Sequence, residues 1–213
     1  AKHHVFKVIE EFMNGNDPVV KLVCARTILR MNEGPVKEGS IELAAAMTLL
    51  KVAGDAEAPV DVRLQAAELV GLFPELGGSD NYKREVRRET TNASSDAVKI
   101  ALCRSWWILE RNPNAPVVMS GLLRRSTDPD NQARAALALF EFGIRSDAVR
   151  ATMAELATEP TRFGERARLL LELSNNDAQD AAAPIPADKD GFTVSSGEAV
   201  IREILQITYY LYP

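Results

Sequence analysis

One pattern is written five times along this chain. Each copy is a small residue, two spacers, two large apolar residues, one spacer and a further apolar residue. The copies are Ala25, Ile28, Leu29 and Met31; Ala66, Leu69, Val70 and Leu72; Cys103, Trp106, Trp107 and Leu109; Ala136, Leu139, Phe140 and Phe142; and Ala167, Leu170, Leu171 and Leu173. Offsets of three, four and six put the apolar residues on one stripe of a helix, and the small residue lets a neighbouring backbone come close. The small residues lie 41, 37, 33 and 31 positions apart. That period is too long for a coiled coil and predicts a stack of helical pairs.

A second helical pattern precedes each copy. The first is Val5, Val8, Ile9, Phe12 and Met13, closed by Asn14, Gly15 and Asn16. The next runs from Ser40, a suitable N-cap, through Ile41, Ala44, Ala45 and Leu49 to Gly54. The remaining three are Ser79 to Thr91, Ala115 to Ser126 and Ser146 to Ala157. Turn residues fall between the patterns: Asp17 with Pro18, Ala58 with Pro59, Ser94 to Asp96, Asp128 to Asp130, and Glu159 with Pro160. Proline is tolerated in a first helical turn, where its missing N–H would be unpaired anyway. The reading is five helix–turn–helix units with almost no strand.

A proline or aspartate turn, a basic residue a few positions on (Lys21, Arg63, Lys99, Arg134) and then the Ala-x-x-Leu-Leu type run resemble HEAT repeats, over about residues 3–174. The armadillo class stacks in the same way. The resemblance implies an all-α, right-handed α-solenoid of about five antiparallel helix pairs plus a C-terminal helix. It also implies a non-catalytic scaffold that binds protein or peptide, without cofactor or metal. In such proteins the second helix of each pair lines the concave face. The polar residues of those helices away from the apolar stripe are therefore the expected contacts: Arg26, Arg30, Glu68, Arg104, Glu110, Arg111, Arg134, Glu141 and Arg168. The repeat domain is placed at 1–174. A flexible Ala/Asp/Pro connection is placed at 175–196, and a capping helix, or the start of a following domain, at 197–213.

The 213 residues carry a net charge of −5, which penalises approach to a polyanion and disfavours general nucleic-acid binding. The charge is uneven: Ser79 to Arg134 holds ten basic residues against seven acidic. No run approaches the ~20 apolar residues of a membrane span, and no signal-peptide pattern opens the chain. Both ends look cut, since the chain opens on Ala1 and closes on Tyr212 and Pro213, and a passive spacer or interaction domain of a larger multidomain enzyme is the alternative reading. Cys24 and Cys103 lie two repeats apart, about 20 Å if layers stack at about 8–10 Å, too far for a disulfide. As buried free thiols they fit a reducing compartment such as the cytoplasm.

Chemistry-bearing motifs are sparse. His3 and His4 are adjacent, so on a helix they point about 100° apart and do not share a metal. HEAT-like di-iron hydroxylases need several His-Glu pairs inside the repeats, and none is there. No histidine serves a nucleophile within the repeats, and no Gly-rich phosphate loop is present. Trp106 and Trp107, with Arg104, Glu110, Arg111, Arg124 and Arg125, could imitate the groove of HEAT-like alkylpurine DNA glycosylases. Both tryptophans, however, occupy positions filled by aliphatic or phenyl side chains in other copies, so core packing is the expectation. Lys83, Arg84, Arg87 and Arg88 group along one helix side, expected to be a solvated face partnered by Glu85 and Glu89. Asp188 to Thr193 is half a calcium loop with Pro186 and Gly197 at the key ligand positions, so a polar turn is expected there.

Overall fold

The computed structural model describes residues 2–31, 37, 39–73, 76 and 78–180, and for 2–6 and 176–180 the backbone alone. The side chains of His3 and His4, the half calcium loop at 188–193 and the helix expected at 197–213 lie outside the described residues. Among the described residues the protein is all-α, with ten helices and no strand. They are α1 (Lys2–Met13), α2 (Pro18–Arg30), α3 (Ile41–Gly54), α4 (Val60–Val70) and α5 (Asp80–Asn92), followed by α6 (Asp96–Glu110), α7 (Asn114–Arg125), α8 (Pro129–Glu141), α9 (Asp147–Leu156) and α10 (Arg162–Asp180).

The helix starts follow from local chemistry. Asp17 caps α2 by accepting hydrogen bonds from Val19 N (2.8 Å) and Val20 N (3.2 Å), with Pro18 opening the helix. Ser40, Ser79 and Ser146 cap α3, α5 and α9 by accepting from Leu43 N, Tyr82 N and Val149 N. Each such cap satisfies an otherwise unpaired amide and is worth ~1 kcal/mol. Pro59 begins α4 without a side-chain cap, because it has no side-chain acceptor. At its far end α10 continues to Asp180, past the position 174 at which the repeat was expected to end. Residues 175–180 contain neither proline nor glycine, so nothing local stops the helix.

The chain divides into two compact units, Ala1–Arg134 and Ala135–Pro213, and the division falls inside α8. In the first unit, consecutive helices pack as pairs, α1 on α2, α3 on α4 and α5 on α6. Alternate helices also touch in two rows: α1, α3 and α5 in one, α2, α4 and α6 in the other. Ala-rich α3 buries Leu43, Ala45, Ala46, Leu49, Leu50, Val52 and Ala53. Fully burying each of its leucines removes apolar surface worth about 1.5–3 kcal/mol from water.

Small residues set the spacing between α4 and α6. A Cβ on Gly71 would lie 2.8 Å from Ser105 Oγ and 2.9 Å from Ser105 Cα, and Ser105 Oγ donates to Ala67 O at 3.2 Å. Arg63, 5% exposed, crosses several elements: its Nε donates to Ala53 O at the end of α3, and its Nη2 to Ser94 Oγ before α6. The buried guanidinium thus meets the negative end of one helix.

In the second unit α9 packs on α10, with Val149, Met153, Leu156, Ala167 and Leu170 buried. The α8 segment of this unit ends on Gly143 at φ 80°, with Gly143 N bonded to Phe140 O and Ile144 N to Leu139 O. That is a Schellman closure. Gly164 admits no side chain, since a Cβ there would collide with the carbonyl oxygens of Glu159 and Leu156.

Candidate functional site

Several of the expected concave-face residues are already engaged inside the protein. Glu68 and Arg134 pair at 2.8 Å. Glu141, its side chain 3% exposed, is paired with Arg166. Arg168 Nη1 donates to Ala157 O (2.8 Å) and Glu159 O (3.1 Å), closing the carbonyl end of α9. Arg111 ends α6 in the left-handed region at φ 53°, its amide bonded to Trp107 O at 2.7 Å and its guanidinium 5.8 Å from the Trp107 ring centre. Arg26 and Arg104 are half-buried, and Arg30 is exposed.

Glu110 is the most enclosed of these groups in the first unit. Its side chain is 8% exposed and accepts from Arg87 Nε (2.9 Å), Arg87 Nη2 (2.6 Å) and Trp106 Nε1 (3.3 Å). The hydrogen bond and charge of Glu110 raise the Arg87 guanidinium above its ordinary pKa. The rest of the basic side of α5 is likewise partnered: Lys83 with Asp80, Arg84 with the Asn81 side chain, and Arg88 with Glu85 and Glu89. Hydrogen bonding to Glu89 is the main reason that the Arg88 guanidinium also moves upward. Structure and sequence agree on a solvated face here, and the structure adds Glu110 as the partner of Arg87 from a different helix.

The tryptophans depart from the core expectation. Their counterparts Ile28, Leu29, Leu69, Val70, Leu139 and Phe140 are buried, whereas Trp106 and Trp107 are both half-buried. An indole is larger than the aliphatic slot of the stripe, so part of the ring stays outside. The Trp106 ring forms one wall of a cleft of about 390 Å³ on the first unit. Val117, Val118 and Gly121 of α7 also line it. Thr90 and Thr91 at the end of α5, Lys99 in α6 and Arg125 at the end of α7 complete it.

The topology orders these groups. Turns of three residues join α5 to α6 (93–95) and α6 to α7 (111–113), so neighbours run antiparallel. The threonines, Lys99 and Arg125 therefore gather at one end, and Trp106 and Val117 at the other. Lys99 and Arg125 make no ion pair among the described residues. In the sequence Lys99 stands as a repeat residue and Arg125 as a neighbour of the tryptophans, and nothing there groups them with Thr90, Val117 or Gly121. The available signal was a glycine inside α7 four residues after an apolar residue that completes no stripe; Val117 is 69% exposed.

No group of three or more His, Cys, Asp or Glu side chains converges on a metal-sized position among the described residues. Cys24 and Cys103 are both free thiols, and burial pushes the Cys103 thiol up to about 12, with the charge of Lys99 acting in the opposite direction. Among the described residues no helix is long and apolar enough to cross a membrane. Comparison with family models, curated proteins and solved structures found no match.

Proposed function

We propose that this chain is a non-catalytic scaffold of the HEAT-like, right-handed solenoid class, and that it binds protein or peptide. One observation carries the reading: in the first unit the helices pack as pairs, and alternate helices touch along two separate rows. Repeat proteins are built in this way, each pair contacting its neighbours, and they present extended surfaces in place of enclosed active sites. The partnered state of Glu110 supports a structural role for the Trp106–Glu110 group over a chemical one.

A second reading, a spacer that packs against other parts of a longer protein, draws on the apolar surface of α1 and α2. Phe12 is 61% exposed and Val23 56% exposed there. These large apolar side chains are available for packing against another part of a longer protein.

Affinity capture from nuclease-treated native lysate separates the two. The scaffold reading expects specific proteins retained by the wild-type chain and lost from an Arg30→Glu, Arg104→Glu double variant that keeps its helical circular dichroism. Capture of nothing specific by either chain would refute it.

A further inference from the structure

We propose that the cleft between α5, α6 and α7 is a docking site for an acidic peptide segment that also carries a large apolar side chain. The inference rests on the scaffold reading and names the chemistry of its partner. Two features of the cleft are incomplete without an occupant. At one end stand the ammonium of Lys99 and the guanidinium of Arg125, with no carboxylate paired to either among the described residues. This contrasts with the basic side of α5, where Lys83, Arg87 and Arg88 each hold an acidic partner. Like charges brought to one end of a concavity repel each other, and a carboxylate placed between them converts that repulsion into two charge-assisted hydrogen bonds.

At the other end the walls are apolar. Val117 is 69% exposed, and the indole of Trp106 is held at a fixed height by its hydrogen bond to Glu110. Gly121, which also lines the cleft, leaves open space: a Cβ added there would meet nothing within 4 Å. An aliphatic or aromatic side chain seated there would cover Val117 and the exposed part of the indole at once. Rigid aromatic surfaces of this kind anchor peptide side chains at low entropic cost.

The backbone-recognition chemistry also fits a peptide. Thr90 is buried and its hydroxyl is spent on Val86 O (2.7 Å), whereas the exposed Thr91 donates to Arg87 O (2.9 Å). What Thr91 has left to offer is an acceptor lone pair, which suits an incoming peptide N–H. The volume, about 390 Å³, is near the lower end of ligand pockets and accommodates one or two side chains. A nucleic acid is a poorer fit, because stable binding draws on a track of several phosphate contacts and this cleft offers two cations on a chain of net charge −5.

The test is selection of a randomised phage-displayed dodecapeptide library on the immobilised full chain, followed by anisotropy titration of the fluorescein-labelled consensus peptide. The expected consensus places Asp or Glu beside Leu, Ile, Phe or Trp. Binding should weaken about tenfold or more with Lys99→Glu plus Arg125→Glu. A similar loss is expected with Gly121→Leu, which fills the open space beside that residue without changing charge. Circular dichroism and the urea midpoint of each variant identify a folding defect, and the uncharged variant provides an independent reading if the charge variant fails to fold. A consensus peptide that binds the folded variants as well as it binds the wild type, or a consensus without acidic residues, overturns the cleft proposal and leaves the scaffold standing. Recovery of no consensus from the wild-type chain overturns the cleft proposal, while the lysate capture decides the scaffold reading.

Discussion

Helices α6 and α8 carry the same repeated pattern, and the structure treats them differently. Cys103 in α6 stands where α8 has Ala136, and Trp106 and Trp107 stand where α8 has Leu139 and Phe140. Leu139 is 0% exposed and Phe140 4%, so α8 buries the central pair of its stripe, while α6 leaves both indoles half outside. The ends differ as well: α8 leaves the helix through Gly143 at φ 80°, and α6 through Arg111 at φ 53°. Each helix end nevertheless holds a nearly buried carboxylate gripped by an arginine of another helix, Glu110 by Arg87 and Glu141 by Arg166. The pattern therefore sets which side of a helix faces inward. Side-chain size then sets how completely that side is covered, and in α6 the surplus ring becomes the wall of a cleft.

The largest effect should come from emptying the better-packed helix. Leu139→Ala is expected to cost about 3 kcal/mol of unfolding free energy, from lost transfer energy and an unfilled cavity. By contrast Trp106→Leu, which gives α6 the residue α8 has, should cost under about 1.5 kcal/mol, because part of the indole is already in water. Urea titrations followed by far-ultraviolet circular dichroism measure both. Equal losses at the two sites would erase the comparison.

The small positions separate the helices next. In the unfolded chain the Cys103 thiol has its ordinary value of 9.0, and in the fold burial holds it near 12. Over that interval the unfolded chain releases a proton that the folded chain retains, so stability present below pH 9.0 falls as the pH rises toward 12. The difference in urea midpoint between the wild type and Cys103→Ala, followed from about pH 8 to pH 10, should shift steadily against the wild type. Ala136 supplies no such proton in α8. Tyr82, fully buried with its hydroxyl donating to Val70 O at 3.3 Å, is also pushed upward by burial and adds a common fall above its ordinary 10.0 in both proteins.

Exchanging the helix ends is a smaller test with opposite signs. Gly143→Ala has no steric contact to relieve, since a Cβ there meets nothing within 4 Å, so its cost of about 1 kcal/mol is the left-handed backbone alone. Arg111→Gly should raise stability by up to about 1 kcal/mol, reduced by whatever the guanidinium gains against Trp107. Thermal melts of the two variants should move in opposite directions. The smallest expected change is Gly121→Ala in α7, a gain of about 0.5–1 kcal/mol from helix propensity in open space.

The sequence by itself determined the helices. The stripe offsets, serine and aspartate caps, and prolines in first turns are local, and they place α2 after Asp17, α3 after Ser40 and α9 after Ser146. It also identified the basic side of α5 as a face with partners, because some of those partners lie within one turn. Only the tertiary structure decided the rest. Arg87 reaches Glu110 across 23 residues and Arg134 reaches Glu68 across 66, so several polar residues expected to await a partner are bonded internally. Cleft residues Thr90, Lys99, Trp106, Val117 and Arg125 come from three helices, so no spacing within one helix groups them all. The reason is physical: periodicity is a property of one helix and records which side is apolar. A concave site is made by the mismatch between side chains on several helices, and becomes visible only once they have packed.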